Sequence, residues 1–294
     1  MLVKKGFDDP RSNVFWKIIE IAKYHKPSCI VLENVKNLTS HDNGDTLDTI
    51  ISSLIKIGYL VKYQILNTSA ITNIPHHRER IYIVCIKNQP NNLKLQKIYD
   101  EFNFDFCSQI KKTIPDMLDN NIASKYYYHT NSKIHKIVQN VVTNSNTIHQ
   151  FRRIYVRENK NNECPTLTAN MGTGGHNVPL VFDKIGPRKL TPRECFNFQG
   201  FPSTYVINNL NLSDAKLYKL AGNAVSVPVV KLIVNKLIKN LYMNIIIDDD
   251  VDTFDKLILE YQIYIKSGEK FISKLKTKLT EIKAITVKSI NCIN

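Results

Sequence analysis

The sequence has six cysteines, at 29, 85, 107, 164, 195 and 292, and no two of them form a C-x-x-C pair. Such scatter argues against a zinc site and a disulfide framework, so no metal is expected, and it fits a reducing cytosol. The first residues carry no signal-peptide pattern, and no apolar run reaches the roughly 20 residues of a membrane span. Neither secretion nor a membrane partner is therefore expected. No internal repeat is visible. Acids are the scarce charge: 26 Asp and Glu stand against 40 Lys and Arg, for a net charge of +14. That imbalance points to a polyanion, with nucleic acid first, although abundant Lys, Asn and Ile also fit a plain compositional bias. At 294 residues the chain can bury one large core or two modest ones.

Periodicity supplies the elements. "SNVFWKIIEIAKYHK" (12–26) places Val14, Phe15, Ile18, Ile19 and Ala22 at helical spacing, with Ser12 as cap and Pro27 as stop. The run Ile30–Leu32 then leads into Glu33, and reads as a buried parallel strand with an acid at its carboxyl end. A second helix turns Leu47, Ile50, Ile51, Leu54 and Ile55 inward and ends near Gly58. Residues 59–66 and 80–86 read as strands, so the class is α/β. From 88 to 185 the periodicity weakens, which suggests a separate, irregular small domain. Order returns over 186–245, and 246–294 read as an amphipathic helical extension with a lysine-rich polar face.

Four segments carry candidate chemistry. Open α/β sheets bind ligands beyond the carboxyl ends of their strands, which is where Glu33 falls. Arg78 and Arg80 flank an acid in "IPHHRERIYIVCI" (74–86). Thr166 and His176 frame the glycine-rich "CPTLTANMGTGGHNVPL" (164–180). "RKLTPRECFNFQGFP" (188–202) is followed by "AGNAVSVPVV" (221–230). Singly, each has a plainer reading. Glu33 could cap the next helix, the arginines could be solvated, "MGTGG" could be a turn, and "GNAVSVP" a helix start.

Together, in this order, these segments resemble the DNA (cytosine-5) methyltransferase family over roughly residues 1–240. "CIVLENVKNL" is similar to its ENV motif, "IPHHRERIYIV" to its Q-x-R-x-R motif, and the two later segments to its C-terminal motifs. The resemblance implies a partial adenosylmethionine-dependent methyltransferase sheet (1–87 and 186–245) with a target-recognition domain between (88–185). It implies double-stranded DNA as partner and S-adenosyl-L-methionine as methyl donor. It assigns Glu33 to the base of a flipped cytosine, and Arg78 and Arg80 to the catalytic loop and target backbone. Thr166, Leu167, Gly172, Gly174, His176 and Arg193 would face DNA. Arg193 and Glu194 would also organise the small domain, and Asn223 and Ala224 would complete the cofactor pocket.

Four features of that pattern are not in these 294 residues: the glycine-rich cofactor loop, the ribose acid, the strands between, and the Pro-Cys loop of the nucleophile. None of the six cysteines sits in a family nucleophile position. A split enzyme completed by an N-terminal methyltransferase subunit is one expectation, a truncated product another, and a DNA-binding protein without catalysis a third. The motif's usual Gln is His76 here, whose charge would be expected to vary with pH.

Overall fold

The computed structural model describes residues 13–89, 93–128, 133–152, 155–159, 161–173, 178–207 and 211–246. In chain order these form α1 (Asn13–His25), β1 (Cys29–Val35), α2 (Asp45–Lys56), β2 (Tyr59–Asn67), α3 (Thr68–Ile71), β3 (His76–His77), β4 (Glu79–Lys87) and α4 (Leu93–Glu101). There follow α5 (Lys133–Val138), β5 (His149–Arg152), β6 (Tyr155–Glu158), β7 (Cys164–Pro165), β8 (Leu180–Phe182) and β9 (Pro187–Lys189). Three helices complete the series: α6 (Pro192–Phe198), α7 (Asp214–Asn223) and α8 (Val227–Ile246). The expected extension over 246–294 lies outside the described residues beyond Ile246. Packing divides the chain into two units. One draws on Met1–Ile65, Ile81–Phe104 and Val234–Asn294, the other on Leu66–Arg80 and Asp105–Ile233.

In the first unit a three-stranded sheet runs in the order β1-β4-β2. Ile81 to Ile86 of β4 are all buried, as a continuous apolar run in a central strand should be. One face is covered by Ile19 and Ala22 of α1 and by Leu47, Ile50 and Leu54 of α2. Each large side chain of this kind contributes about 1.5–3 kcal/mol by leaving water. Val14 and Ile55, expected inside, are exposed instead, because their helices present a narrower stripe to the core than the spacing suggested. α2 closes through Ile57 into Gly58 at φ +85, the left-handed position expected there. Lys62 Nζ donates to the carbonyls of Tyr99 (2.6 Å) and Phe102 (2.8 Å), satisfying the end of α4. β1 is the exception to expectation. Only Cys29 is buried, while Ile30, Val31 and Leu32 are half-buried. The strand has one hydrogen-bonded neighbour in its sheet among the described residues, so its apolar run is not covered as a central strand's would be.

The second unit holds a sheet in the order β6-β5-β8-β9, with antiparallel neighbours throughout, and a parallel pair between β3 and β7. Its core joins Ile148, Leu167, Met171, Val181, Phe198 and Tyr218 with their neighbours. α6 begins with a capping box, in which Thr191 accepts from the Glu194 amide and Glu194 accepts from the Thr191 amide. Glu194, fully buried, is also gripped bidentately by buried Arg188, both bonds at 2.8 Å. Arg188 turns its third nitrogen to Asp183 at 2.5 Å, and Tyr127 donates to the same carboxylate oxygen at 2.8 Å. Glu194 therefore ties β9, α6 and the Asp119 amide together in this unit.

One stretch, Asp214–Lys239, is long and apolar enough to cross a membrane by length and composition alone. It is broken at Ala224 (ψ 150) into α7 and α8, and it buries Leu217, Tyr218, Ala221, Val229, Ile233 and Leu237 inside the protein.

Candidate functional site

Glu33 lies near the carboxyl end of β1, half-buried, with its Oε1 atom shielded from solvent. Asn34 Oδ1 accepts from the Val35 amide at 2.8 Å where the strand gives way to the helical turns Lys36–Gly44. The cap position of those turns belongs to Val35, which has no side-chain acceptor, and Glu33 stands two residues before it. The helix-cap role is thus not the one the chain gives Glu33. A carboxylate so placed can accept hydrogen bonds from an amine-bearing ring edge and stabilise positive charge on it.

In the second unit, β3 and the residue after it bring His76 and Arg78 into a packed cluster. His76 is 0% exposed; its Nδ1 donates to the Phe198 carbonyl at 3.0 Å, and its Nε2 accepts from the Leu167 amide at 3.4 Å. These partners assign the neutral Nδ1–H tautomer. Burial first, and then the nearby Arg78 charge, push its pKa from 6.5 down to about 3. The expected pH-dependent charge is therefore not a property of the folded protein near neutrality. His76 instead bridges two backbone groups, one donor and one acceptor, as a glutamine amide could.

A consequence follows for acid stability. With its folded pKa depressed, His76 stabilises the fold above pH 6.5, and that stability is lost as pH falls from there towards about 3. We expect His76→Gln to unfold at nearly the wild-type temperature at neutral pH and to lose less stability on acidification. Thermal melts at several pH values check this. Parallel acid profiles for the two proteins would contradict it.

Arg78, expected at the catalytic loop and DNA backbone, is 2% exposed. Its guanidinium donates to the carbonyls of Ala224 (2.7 Å), Leu167 (3.3 Å) and Gly222 (3.4 Å). It ties three distant segments together and presents nothing to solvent. Arg80 is half-buried, and its Nη1 donates to the Glu79 carbonyl at 2.8 Å.

The 164–173 stretch is likewise fastened inward. Leu167, expected to face DNA, is 1% exposed in the core and offers only its backbone, to His76 and Arg78. Thr166 is half-buried and donates to the His77 carbonyl at 2.7 Å. Gly172 packs on α7: a Cβ there would stand 2.9 Å from Tyr218 Cβ and 3.0 Å from Ala215 Cα. The exposed polar side chains are Thr168, Asn170 and Thr173, none singled out from sequence. Gly174 and His176 lie outside the described residues. Arg193, expected at DNA and as an organiser of the small domain, is half-buried. It donates to Asn197 Oδ1 (2.9 Å) and to the carbonyls of Tyr205, Phe201 and Pro202 (2.7–3.3 Å), pinning the turn after α6.

Gly222, in "AGNAVSVP", escaped notice as a packing residue. A Cβ on it would stand 2.3 Å from the Thr168 carbonyl carbon and 2.5 Å from the Ala169 nitrogen. Backbone cannot yield cheaply, so Gly222→Ala should destabilise by about 1–3 kcal/mol or more. Urea unfolding checks it, and an unchanged midpoint would contradict it. Beside it, the Asn223 side chain is exposed, while the Ala224 carbonyl is already taken by Arg78.

The thiols complete the inventory. Burial pushes Cys29 and Cys85 up to about 12, and raises Cys164 and Cys195 well above their ordinary value. Thiols held so firmly protonated are poor nucleophiles. Cys107 is exposed, and Cys292 lies outside the described residues. Among the described residues no group of His, Cys, Asp and Glu could hold a metal ion.

The family profile described as C-5 cytosine-specific DNA methylase matches residues 3–239. The type II methyltransferase M.Bsp6I of Bacillus sp. (strain RFL6) is 47% identical over 244 residues, covering 81% of this chain and 74% of that protein. The type II methyltransferase M.SsoII of Shigella sonnei is 33% identical over 250 residues, covering 81% of this chain and 60% of its own length. Among solved structures, the Entamoeba histolytica methyltransferase EhMeth superposes with a TM-score of 0.58 at 18% identity, over 81% of this chain and 72% of that one, and so supports the fold. The chain belongs to the C-5 cytosine-specific DNA methylase family.

Proposed function

We propose that this chain supplies the base-holding and DNA-reading parts of a type II DNA (cytosine-5) methyltransferase and works with an N-terminal methyltransferase section carrying the nucleophile and the cofactor loop. The observation that carries this reading is Glu33, half-buried near the carboxyl end of β1, with a shielded Oε1 and no role as a helix cap.

In this reading a cytosine of double-stranded DNA is turned out of the stack, at a cost of a few kcal/mol. A cysteine thiolate from the N-terminal section forms a bond to carbon 6, and the displaced ring electrons make carbon 5 nucleophilic. S-adenosyl-L-methionine supplies the methyl group that carbon 5 takes. Loss of the carbon 5 proton then expels the thiolate and restores the ring. Glu33 accepts a hydrogen bond from the exocyclic amine and holds a proton at N3, offsetting the negative charge that the attack sends into the ring. Toward the methyl donor this chain offers the exposed Asn223 amide, which fits a polar ligand; the neighbouring Ala224 carbonyl is committed to Arg78. Arg78, His76 and Gly222 act at one remove by fixing the backbone of 166–169 and 221–224. Residues 88–185 read the DNA, with Thr168, Asn170 and Thr173 as exposed candidates in the segment before Gly174.

The test is transfer of a tritiated methyl group to mixed-sequence DNA. The purified chain alone should be silent, and incorporation should appear when an N-terminal section with the cofactor and Pro-Cys loops is added. Full turnover by the chain alone, or silence of a stable complex with such a section, would overturn the reading. Exchanging residues 88–185 for those of a relative with a different target should move the methylated site, read by bisulfite sequencing. Methylation that stayed at the original site would place recognition elsewhere.

A further inference from the structure

The hairpin of β5 and β6 has two unlike faces. Phe151 and Val156 turn inward onto Val138, Val142 and Leu180. The register pairs Gln150 with Arg157 and Arg152 with Tyr155, so these four side chains share the outer face. Gln150 is half-buried, and the other three are exposed. The Gln150 side-chain oxygen accepts from Arg152 Nη2 at 3.1 Å and from Arg157 Nη2 at 3.0 Å. One neutral amide thus holds two cations side by side, and no carboxylate pairs with either among the described residues.

Like charges brought together repel, and an amide oxygen cancels none of that repulsion. Isolated, the pair would gain by splaying into solvent. Brought to an anion with two or more acceptor oxygens, the same arrangement is ready made. We propose that Arg152 and Arg157, tethered by Gln150, form a phosphate clamp for the backbone of double-stranded DNA, and that Tyr155 flanks it. A phosphodiester carries the full negative charge that the pair lacks, whereas a guanine edge is neutral and is filled by a single guanidinium. The clamp therefore sets register and affinity, and base choice lies elsewhere. This inference rests on the DNA-reading role proposed above.

The experiment is fluorescence anisotropy with the full chain on several unrelated duplexes across a range of salt, with circular dichroism to confirm folding. The double variant R152Q/R157Q should bind at least about tenfold more weakly on every duplex. Its plot of log affinity against log salt should be shallower by about 0.9 for each phosphate that is no longer neutralised. Gln150→Ala, which keeps both charges and removes the tether, should weaken binding several-fold with an unchanged slope. A double variant that binds like wild type would overturn the clamp while leaving the proposed function standing. A loss confined to one sequence would overturn it in favour of base readout, and a Gln150→Ala protein equal to wild type would overturn the tether. Absence of DNA binding by the unaltered chain would overturn the proposed function itself, and the clamp with it.

Discussion

Glu33→Gln should reduce the rate of methyl transfer by about 100-fold or more, the scale of a positioned acid–base group, while DNA affinity changes little. Glutamine keeps the shape and can still meet the exocyclic amine through its oxygen. It loses the negative charge that stabilises a protonated N3, and that stabilisation matters most as charge develops in the ring. The loss should therefore fall on the chemical step and leave substrate binding nearly intact. Single-turnover rates of the complemented enzyme, set beside anisotropy with duplex DNA, separate the two quantities. A variant that turned over at the native rate would show that the carboxylate at the end of β1 is structural.

Replacing Arg78 by Met should be the most destabilising single change at the motifs. Methionine roughly fills the space, but the carbonyls of Leu167, Gly222 and Ala224 lose their donor in a buried setting. A buried group left unsatisfied costs about 1–3 kcal/mol, and here three carbonyls lose their donor together. A domain has only about 5–15 kcal/mol in total, so the second unit should melt far below the wild-type temperature. Arg78→Lys should recover only part, because an ammonium has no planar fork with which to reach three carbonyls. Thermal and urea unfolding measure both variants. An Arg78→Met protein within about 0.5 kcal/mol of wild type would contradict the tie, and a loss of DNA binding without loss of stability would return Arg78 to the DNA surface.

Long, strongly periodic elements were legible in the sequence: α1, α2, β2 and β4 stand where their apolar spacing put them. The nearness of Glu33 to the carboxyl end of its strand was legible for the same reason, although β1 runs two residues further, to Val35. The half-burial of β1 was not, because an apolar run reports its composition and says nothing of how many neighbours the strand finds. Short elements also escaped. β5 and β6 are four residues each and β8 three, too few turns of a two-residue period to rise above the polar residues around them. The alternation in "HQFR" and "YVRE" is visible once the hairpin is known.

The roles of the motif arginines were hidden by distance along the chain. Arg78 meets Leu167 across 89 residues and Ala224 across 146, and His76 meets Phe198 across 122. No local pattern marks such partners, and an arginine destined for carbonyls reads in sequence like one destined for phosphate. Arg193 repeats the lesson over a shorter span, its guanidinium closing on the carbonyls of Phe201, Pro202 and Tyr205. Gly172 and Gly222 read as flexible turn and helix start, whereas both mark places where helix α7 approaches another backbone or side chain too closely for a Cβ.

The proposed division of labour between this chain and an N-terminal section is tested most directly by trapping the covalent intermediate. A duplex in which the target cytosine carries fluorine at carbon 5 accepts the thiolate and the methyl group. It then has no proton at carbon 5 to lose, so the carbon–sulfur bond cannot break. Incubated with methyl donor, this chain and an N-terminal section bearing a Pro-Cys loop, the duplex should become bound through that section's cysteine, with this chain free of adduct. Mass spectrometry of the denatured proteins reads the outcome. An adduct on one of this chain's own cysteines, formed with or without the N-terminal section, would contradict the account.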